Sequence, residues 1–189
     1  MMEKQLEASG GLLLIDVQQA FDDPRWGPRN NPQAESRIAQ LLAAFRRAGR
    51  PVFHVKHNST EPGSTLGPEK PGNAFKPEAT PLPGEALFEK SVNSAFIGTE
   101  LENHLHREGI DTLVIAGFIT NHCVSTTARM AANLGFRTLV VADACATFDF
   151  KDEDGVIPAA TMHRVGLAEL RGEFAEILET AEVLRRLET

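Results

Sequence analysis

Short uninterrupted apolar runs alternate with helical periodicities along this chain. Residues 11–17 are apolar except for Asp16, and such continuous apolarity predicts a strand buried on both faces of a parallel sheet. In residues 31–49 the apolar positions recur at steps of three and four, which predicts a helix. Residues 51–55 are typical of a second strand. The order strand, helix, strand predicts a right-handed parallel crossover.

The same rhythm resumes after residue 85 and continues to the end of the chain. The pattern predicts a fold of the α/β class, a three-layer αβα sandwich with an open, mostly parallel, Rossmann-like sheet of about six strands. Further strands are predicted at residues 86–90, 112–117, 137–142 and 176–178, and further helices at 100–107, 121–134, 155–170 and 181–187.

Residues 58–84 interrupt this rhythm with six prolines and four glycines. Loops longer than about 12–15 residues are uncommon in compact domains and are usually functional or disordered. Neither flank has the character of a separate domain. We therefore expect one domain over residues 1–189, with this segment as a lid or a binding loop.

Composition narrows the functional class. The 189 residues carry a net charge of −7, which disfavours nucleic acid as a partner, because its binding needs clustered Lys and Arg. No apolar run is long enough for a signal peptide or a membrane span. Two cysteines build no disulfide framework, so we expect a cytoplasmic protein without membrane association. Both common phosphate-binding glycine signatures are missing from the sequence.

Three chemically active residues follow the predicted strands. Ligands of open parallel sheets bind beyond the carboxyl ends of the strands. Asp16, Lys90 and Cys123 all lie at such ends, so we expect the fold to bring them together. Cys123 also begins a predicted helix, where a helix N-terminus and a nearby cation can lower a thiol pKa and unpaired N–H groups can hold an oxyanion. The alternative is a buried structural cysteine, which is also how we interpret Cys145.

The other candidates have competing interpretations. Asp16 can accept the thiol proton or tie down its own loop. Lys90 can stabilise the Cys123 thiolate and the ionised Asp16, or it can be an exposed charge at a strand end. His54 and His57 have the spacing of a metal-binding pair, but two ligands do not complete a site.

Four motifs together resemble those of the isochorismatase-like cysteine hydrolases. They are LIDVQQAF at residues 14–21, KSVNSAF at 90–96, GFITNHCV at 117–124 and VVADA at 140–144, and the resemblance spans about residues 10–178. By this resemblance, Asp16, Lys90 and Cys123 form a catalytic triad. It also implies a cis peptide bond between Phe118 and Ile119, and an oxyanion hole made by the N–H groups of Ile119 and Cys123.

The resemblance further implies hydrolysis of a small amide, carbamoyl or ureido C–N bond through a thioester, and we expect no cofactor and no metal. Phe21, Trp26, Phe96 and Phe118 are candidates for lining the substrate pocket, or else belong to the core. A homodimer or homotetramer is expected from the family.

Some positions depart from particular branches of the family. Nicotinamidase-type members bind a metal through an Asp-x-His element, and here Val52 stands where that Asp would be. Members that cleave isochorismate lack the cysteine. Two alternatives therefore stay open, a catalytically silent small-molecule-binding or scaffold protein, and a metal-assisted amidase that uses His54 and His57.

Overall fold

A computed structural model describes Leu6 and residues 9–188. Six parallel strands form one sheet in the order β3-β2-β1-β4-β5-β8, which confirms the predicted architecture. These strands are β1 (Gly10–Ile15), β2 (Val52–His57), β3 (Ala86–Lys90), β4 (Thr112–Phe118), β5 (Arg137–Ala146) and β8 (Glu176–Leu178). The remaining strands, β6 (Phe150–Asp152) and β7 (Gly155–Ile157), form a separate antiparallel hairpin.

Helices cover both faces of the sheet. Those on one face are α1 (Ala34–Arg47) and α5 (Thr180–Glu188), and those on the other are α2 (Leu101–Arg107), α3 (Ser125–Asn133) and α4 (Ala159–Leu170). The central strand β1 shows why both layers are needed. Leu12 and Leu14 pack into the core under α1, while Leu13 and Ile15 pack into the core under α2 and α3. In the described part of the chain, no helix is long and apolar enough to cross a membrane.

The predicted helix over residues 155–170 was wrong at its start. Its first three residues form strand β7, and the helix begins at Ala159, immediately after Pro158. Asp152 causes the difference, because its carboxylate accepts hydrogen bonds from the backbone N–H groups of Asp154 and Gly155 and so closes a tight turn.

Several other strand and helix boundaries differ from the predicted ones, and two of these differences concern residues of the candidate site. Strand β2 continues through His57 instead of ending at residue 55, and β1 ends at Ile15, one residue before Asp16. Strand β5 continues to Ala146. The predicted helix at 121–134 starts with a wider turn over Thr120–Val124 before α3.

The segment 58–84 is tied to the sheet through Asn73, which is only 3% exposed. The Asn73 side-chain amide donates to the backbone carbonyls of His57 and Leu66, and the Ser59 N–H also donates to the Leu66 carbonyl. Gln18, which is fully buried, donates to the carbonyls of His57 and Asn73. These bonds hold the segment against the end of β2.

Candidate active site

Asp16 leaves β1 in a left-handed backbone conformation, with φ of 52°. Non-glycine residues adopt this conformation rarely, and such positions cluster at functional sites. Gly117 on β4, which pairs with the preceding residue Ile15, has no room for a side chain, because a Cβ there would lie 2.0 Å from the carbonyl oxygen of Ile15. The close approach of the two strands therefore requires glycine and places Asp16 at the carboxyl edge of the sheet, with 1% of its surface exposed.

Lys90 ends β3, and its side chain is fully buried. Its ammonium donates to Asp16 Oδ2 at 2.6 Å and to Cys123 Sγ at 3.3 Å, and it lies 3.0 Å from Nδ1 of His57. The structure thus brings the three predicted residues together, although they are distant in sequence.

Cys123 lies in the wide turn Thr120–Val124 that follows β4. The carbonyl of Ile119 accepts from the N–H of Val124, the residue after Cys123, and this five-residue step is the hydrogen bond of a π-helical turn. The Phe118–Ile119 peptide bond is cis, as the resemblance implies.

Burial controls the protonation of the pair. Burial raises the pKa of the Asp16 carboxyl above its ordinary 3.8, while the Lys90 ammonium opposes this. Burial raises the pKa of the Cys123 thiol to about 12; the charge of Asp16 adds to this, and Lys90 opposes it. A nearby cation can lower a thiol pKa, but here burial outweighs the effect of Lys90. At neutral pH the sulfur holds its proton.

The arrangement suits a proton transfer from sulfur to carboxylate. The acceptor atoms of Asp16, His57 and Cys123 lie within 4.8 Å of one another. Asp16 Oδ1 is buried without a hydrogen-bond partner among the described residues, so this oxygen is available as a base. Lys90 contacts donor and acceptor alike, and its charge balances the single negative charge wherever the proton lies.

Two further residues near the sulfur were not assigned catalytic roles from the sequence. His57 contacts Lys90, and only the pairing of β2 with β3 could have indicated this, because His57 lies opposite Lys90 in that register. Asn93 places its side-chain oxygen 3.8 Å from Cys123 Sγ, and it lies inside the lysine motif.

The four aromatic candidates divide between the two cores of the fold. Phe21 lies 5.2 Å from Trp26 and 5.6 Å from Phe118, measured between ring centroids, in the core under α1. Phe96 lies in the other core, against which Cys123 also packs, and it stacks on Phe136, so the assignment of the four residues to a substrate pocket stays a prediction. The sequence could not show on which face of the sheet residue 96 packs.

Two cations lie against the ring of Phe118. The Arg29 guanidinium is 5.4 Å and the Lys76 ammonium 5.9 Å from the ring centroid. Both also bind Glu35, with Lys76 at 3.0 Å and Arg29 through two hydrogen bonds. Although burial opposes ionisation, these bonds lower the pKa of Glu35 to about 2.

The histidine pair expected for a metal-assisted amidase does not form. His54 Nε2 lies 2.8 Å from a carboxylate oxygen of Glu85, whereas His57 faces Lys90. The two histidines are three residues apart on one strand and so project from opposite faces. Asp16, His57 and Cys123 do converge, but the Lys90 ammonium holds the position among them that a cation would need.

Comparisons with known proteins agree with this fold. A family model described as the isochorismatase domain matches residues 11–182. The isochorismatase family protein YrdC of Bacillus subtilis is 44% identical over 180 residues, covering 95% of this chain and 96% of YrdC. A crystal structure of an isochorismatase-family protein from Chromobacterium violaceum superposes with a TM-score of 0.94 at 48% identity, covering 98% of this chain and 96% of that one.

A relative with a named activity is also similar. The streptothricin hydrolase of Streptomyces noursei is 33% identical over 173 residues, which cover 90% of this chain and 62% of that protein. The match of the family model to most of the chain, together with these identities, shows that the protein belongs to the isochorismatase family of hydrolases.

Proposed function

We propose that this protein is a cysteine-dependent hydrolase that cleaves the C–N bond of a small amide, carbamoyl or ureido compound. The observation that carries the proposal is the position of the Lys90 ammonium, within hydrogen-bonding distance of both Asp16 and Cys123. A buried carboxylate and a half-buried thiol then lie beside one cation, and a single proton can move between the sulfur and the carboxylate. The hydrolase activity of a family relative is consistent with this proposal.

In the proposed first half-reaction, Asp16 accepts the proton of Cys123 as the sulfur attacks the carbonyl carbon of the substrate. The negative charge that forms on the carbonyl oxygen is held by the N–H groups of Ile119 and Cys123. The C–N bond then breaks, and Asp16 returns its proton to the leaving nitrogen. This leaves a thioester on Cys123 and releases an amine or ammonia.

In the second half-reaction, Asp16 removes a proton from water as the water oxygen attacks the thioester. The C–S bond breaks, the acid product leaves, and the proton returns to the sulfur. The raised pKa of Asp16 supports cleavage of C–N bonds in particular, because a nitrogen leaving group needs a proton donor and a carboxyl of raised pKa keeps its proton more readily.

Turnover of a panel of small amides, carbamoyl and ureido compounds, followed by mass spectrometry, tests the proposal. Cys123→Ala is expected to fold normally and to abolish turnover, and wild-type protein caught during turnover should carry an acyl mass on Cys123. Cys145→Ala is the matched control and should retain activity, because that thiol is fully buried in the core. Full activity of Cys123→Ala would overturn the mechanism, and no turnover by the wild type would favour a silent binding protein.

A further inference from the structure

His57 makes a contact that the proposed mechanism leaves unused. A lysine ammonium has three N–H donors and no acceptor. Around Lys90, three acceptors stand at 2.6, 3.0 and 3.3 Å, on Asp16, His57 and Cys123 respectively. Each donor therefore has one acceptor, and the direction of the donor aimed at the sulfur depends on the other two.

We propose that His57 is a positioning residue whose imidazole Nδ1 accepts a hydrogen bond from Lys90 and so keeps another N–H of that ammonium aimed at the Cys123 sulfur. This inference rests on the proposed function of Lys90 and Cys123. His57 acts through Lys90 and touches no reacting atom.

The acceptor role requires a neutral imidazole, because an imidazolium has no acceptor and would repel the ammonium. Burial, together with the charge of Lys90, lowers the pKa of His57 to about 4. Among the described residues, Lys90 contacts the imidazole of His57, and ligand atoms of Asp16 and Cys123 lie within 4.8 Å of it. His57 is thus neutral at neutral pH, where an imidazole of ordinary pKa would be partly protonated.

His57 is itself held in place, as a positioning residue must be. Its backbone N–H donates to the side-chain oxygen of Gln18 at 2.8 Å, and its carbonyl accepts from the side chains of Gln18 and Asn73. The ring also hydrogen-bonds to the backbone of Val92, two residues after Lys90. The imidazole therefore links the end of β2 to the turn that follows β3.

Loss of the acceptor leaves one donor of a buried ammonium without its partner. The ammonium is then expected to rotate so that this donor reaches Asp16 or water, and the Cys123 sulfur loses the N–H that pointed at it. A hydrogen bond to a charged group is worth enough that its loss corresponds to about a 10- to 100-fold change in rate. The change is expected in kcat with little effect on KM, since the proposed role of His57 is exerted through Lys90.

Three substitutions separate this role from a general structural one. His57→Asn places its side-chain oxygen close to the position of Nδ1, His57→Gln places its amide close to Nε2, and His57→Leu offers no acceptor. The backbone bonds to Gln18 and Asn73 are available to all three. The measurements are kcat, KM, and the rate at which iodoacetamide alkylates Cys123, with Cys145 in the same chain as an internal control for opening of the core.

We expect His57→Leu and His57→Gln to lower kcat, and to slow alkylation of Cys123, by about tenfold or more, and His57→Asn to stay within about threefold of wild type. Equal behaviour of the Asn and Gln variants, or a wild-type alkylation rate in folded His57→Leu, would overturn the inference. If His57→Leu does not fold, the comparison of His57→Asn with His57→Gln is sufficient, because the inference requires the Gln variant to be slower than the Asn variant in both kcat and alkylation. Alkylation needs no substrate, so it distinguishes a failure of this inference from a failure of the proposed function.

Discussion

Replacing Lys90 by methionine tests the buried ion pair directly. The Lys90 side chain is fully buried and Asp16 is 1% exposed, so the variant leaves a carboxylate in the interior without its counter-ion. Removing one partner of such a pair typically costs about 3–5 kcal/mol of the free energy of unfolding. Urea denaturation followed by circular dichroism at pH 8 should show a loss of this size.

The pH dependence of that loss has a definite sign. Without Lys90, the folded-state pKa of Asp16 rises further above its ordinary 3.8, so protonation of the carboxyl relieves the penalty. The deficit of Lys90→Met should therefore shrink as the pH falls toward 4 and be largest above the raised pKa. Asp16→Asn in the same chain should restore much of the stability but no activity.

Lys151→Met, at an exposed lysine of the hairpin, is the matched control and should change stability by less than about 0.5 kcal/mol. If Lys90→Met loses no unfolding free energy, or loses the same amount at pH 8 and pH 4.5, then the uncompensated charge of Asp16 does not govern the stability of the variant.

The remaining predictions concern other parts of the chain. Alkylation of Cys123 should keep accelerating from pH 7 to pH 10, because its thiol pKa is raised to about 12, and a plateau near pH 8 would contradict this. Gly117→Ala should severely destabilise the fold. Gly155 also has a positive φ but has open space around it, so Gly155→Ala should lower the free energy of unfolding by only about 1–3 kcal/mol, as measured by thermal or urea denaturation. The folded-state pKa of Glu35 is about 2, so ionised Glu35 stabilises the fold by at most about 3 kcal/mol above pH 4.5, and this contribution disappears as the pH falls to 2. Glu35→Gln should therefore lose less stability than the wild type between pH 4.5 and pH 2.

The sequence predicted the sheet well, because its buried strands are short apolar runs that no surface element resembles. The edge strand over Glu176–Leu178 was placed correctly even though it is only three residues long. The hairpin was missed because Val156 and Ile157 continue into the apolar pattern of α4, and only the side-chain bonds of Asp152 separate them.

The candidate site was partly predictable for a similar reason. Strand ends identify Asp16, Lys90 and Cys123 once the sheet is known to be parallel, since they must then share one edge. The contact of His57 depends on the register between β2 and β3, and the protonation of Cys123 depends on its burial. Neither quantity is local in the sequence. The homo-oligomer expected from the family stays a prediction.

The anchoring of residues 58–84 divides that segment into parts with different tolerance to change. The bond between Ser59 and Leu66 closes a small loop over residues 60–65, so insertions or deletions inside it can be absorbed without displacing the anchor. Asn73, in contrast, shares its amide with the backbone of His57, which in turn contacts Lys90. In this chain the outer loop can therefore change in length while the amide of Asn73 still holds the base of the segment against the end of β2, beside the residue that contacts Lys90.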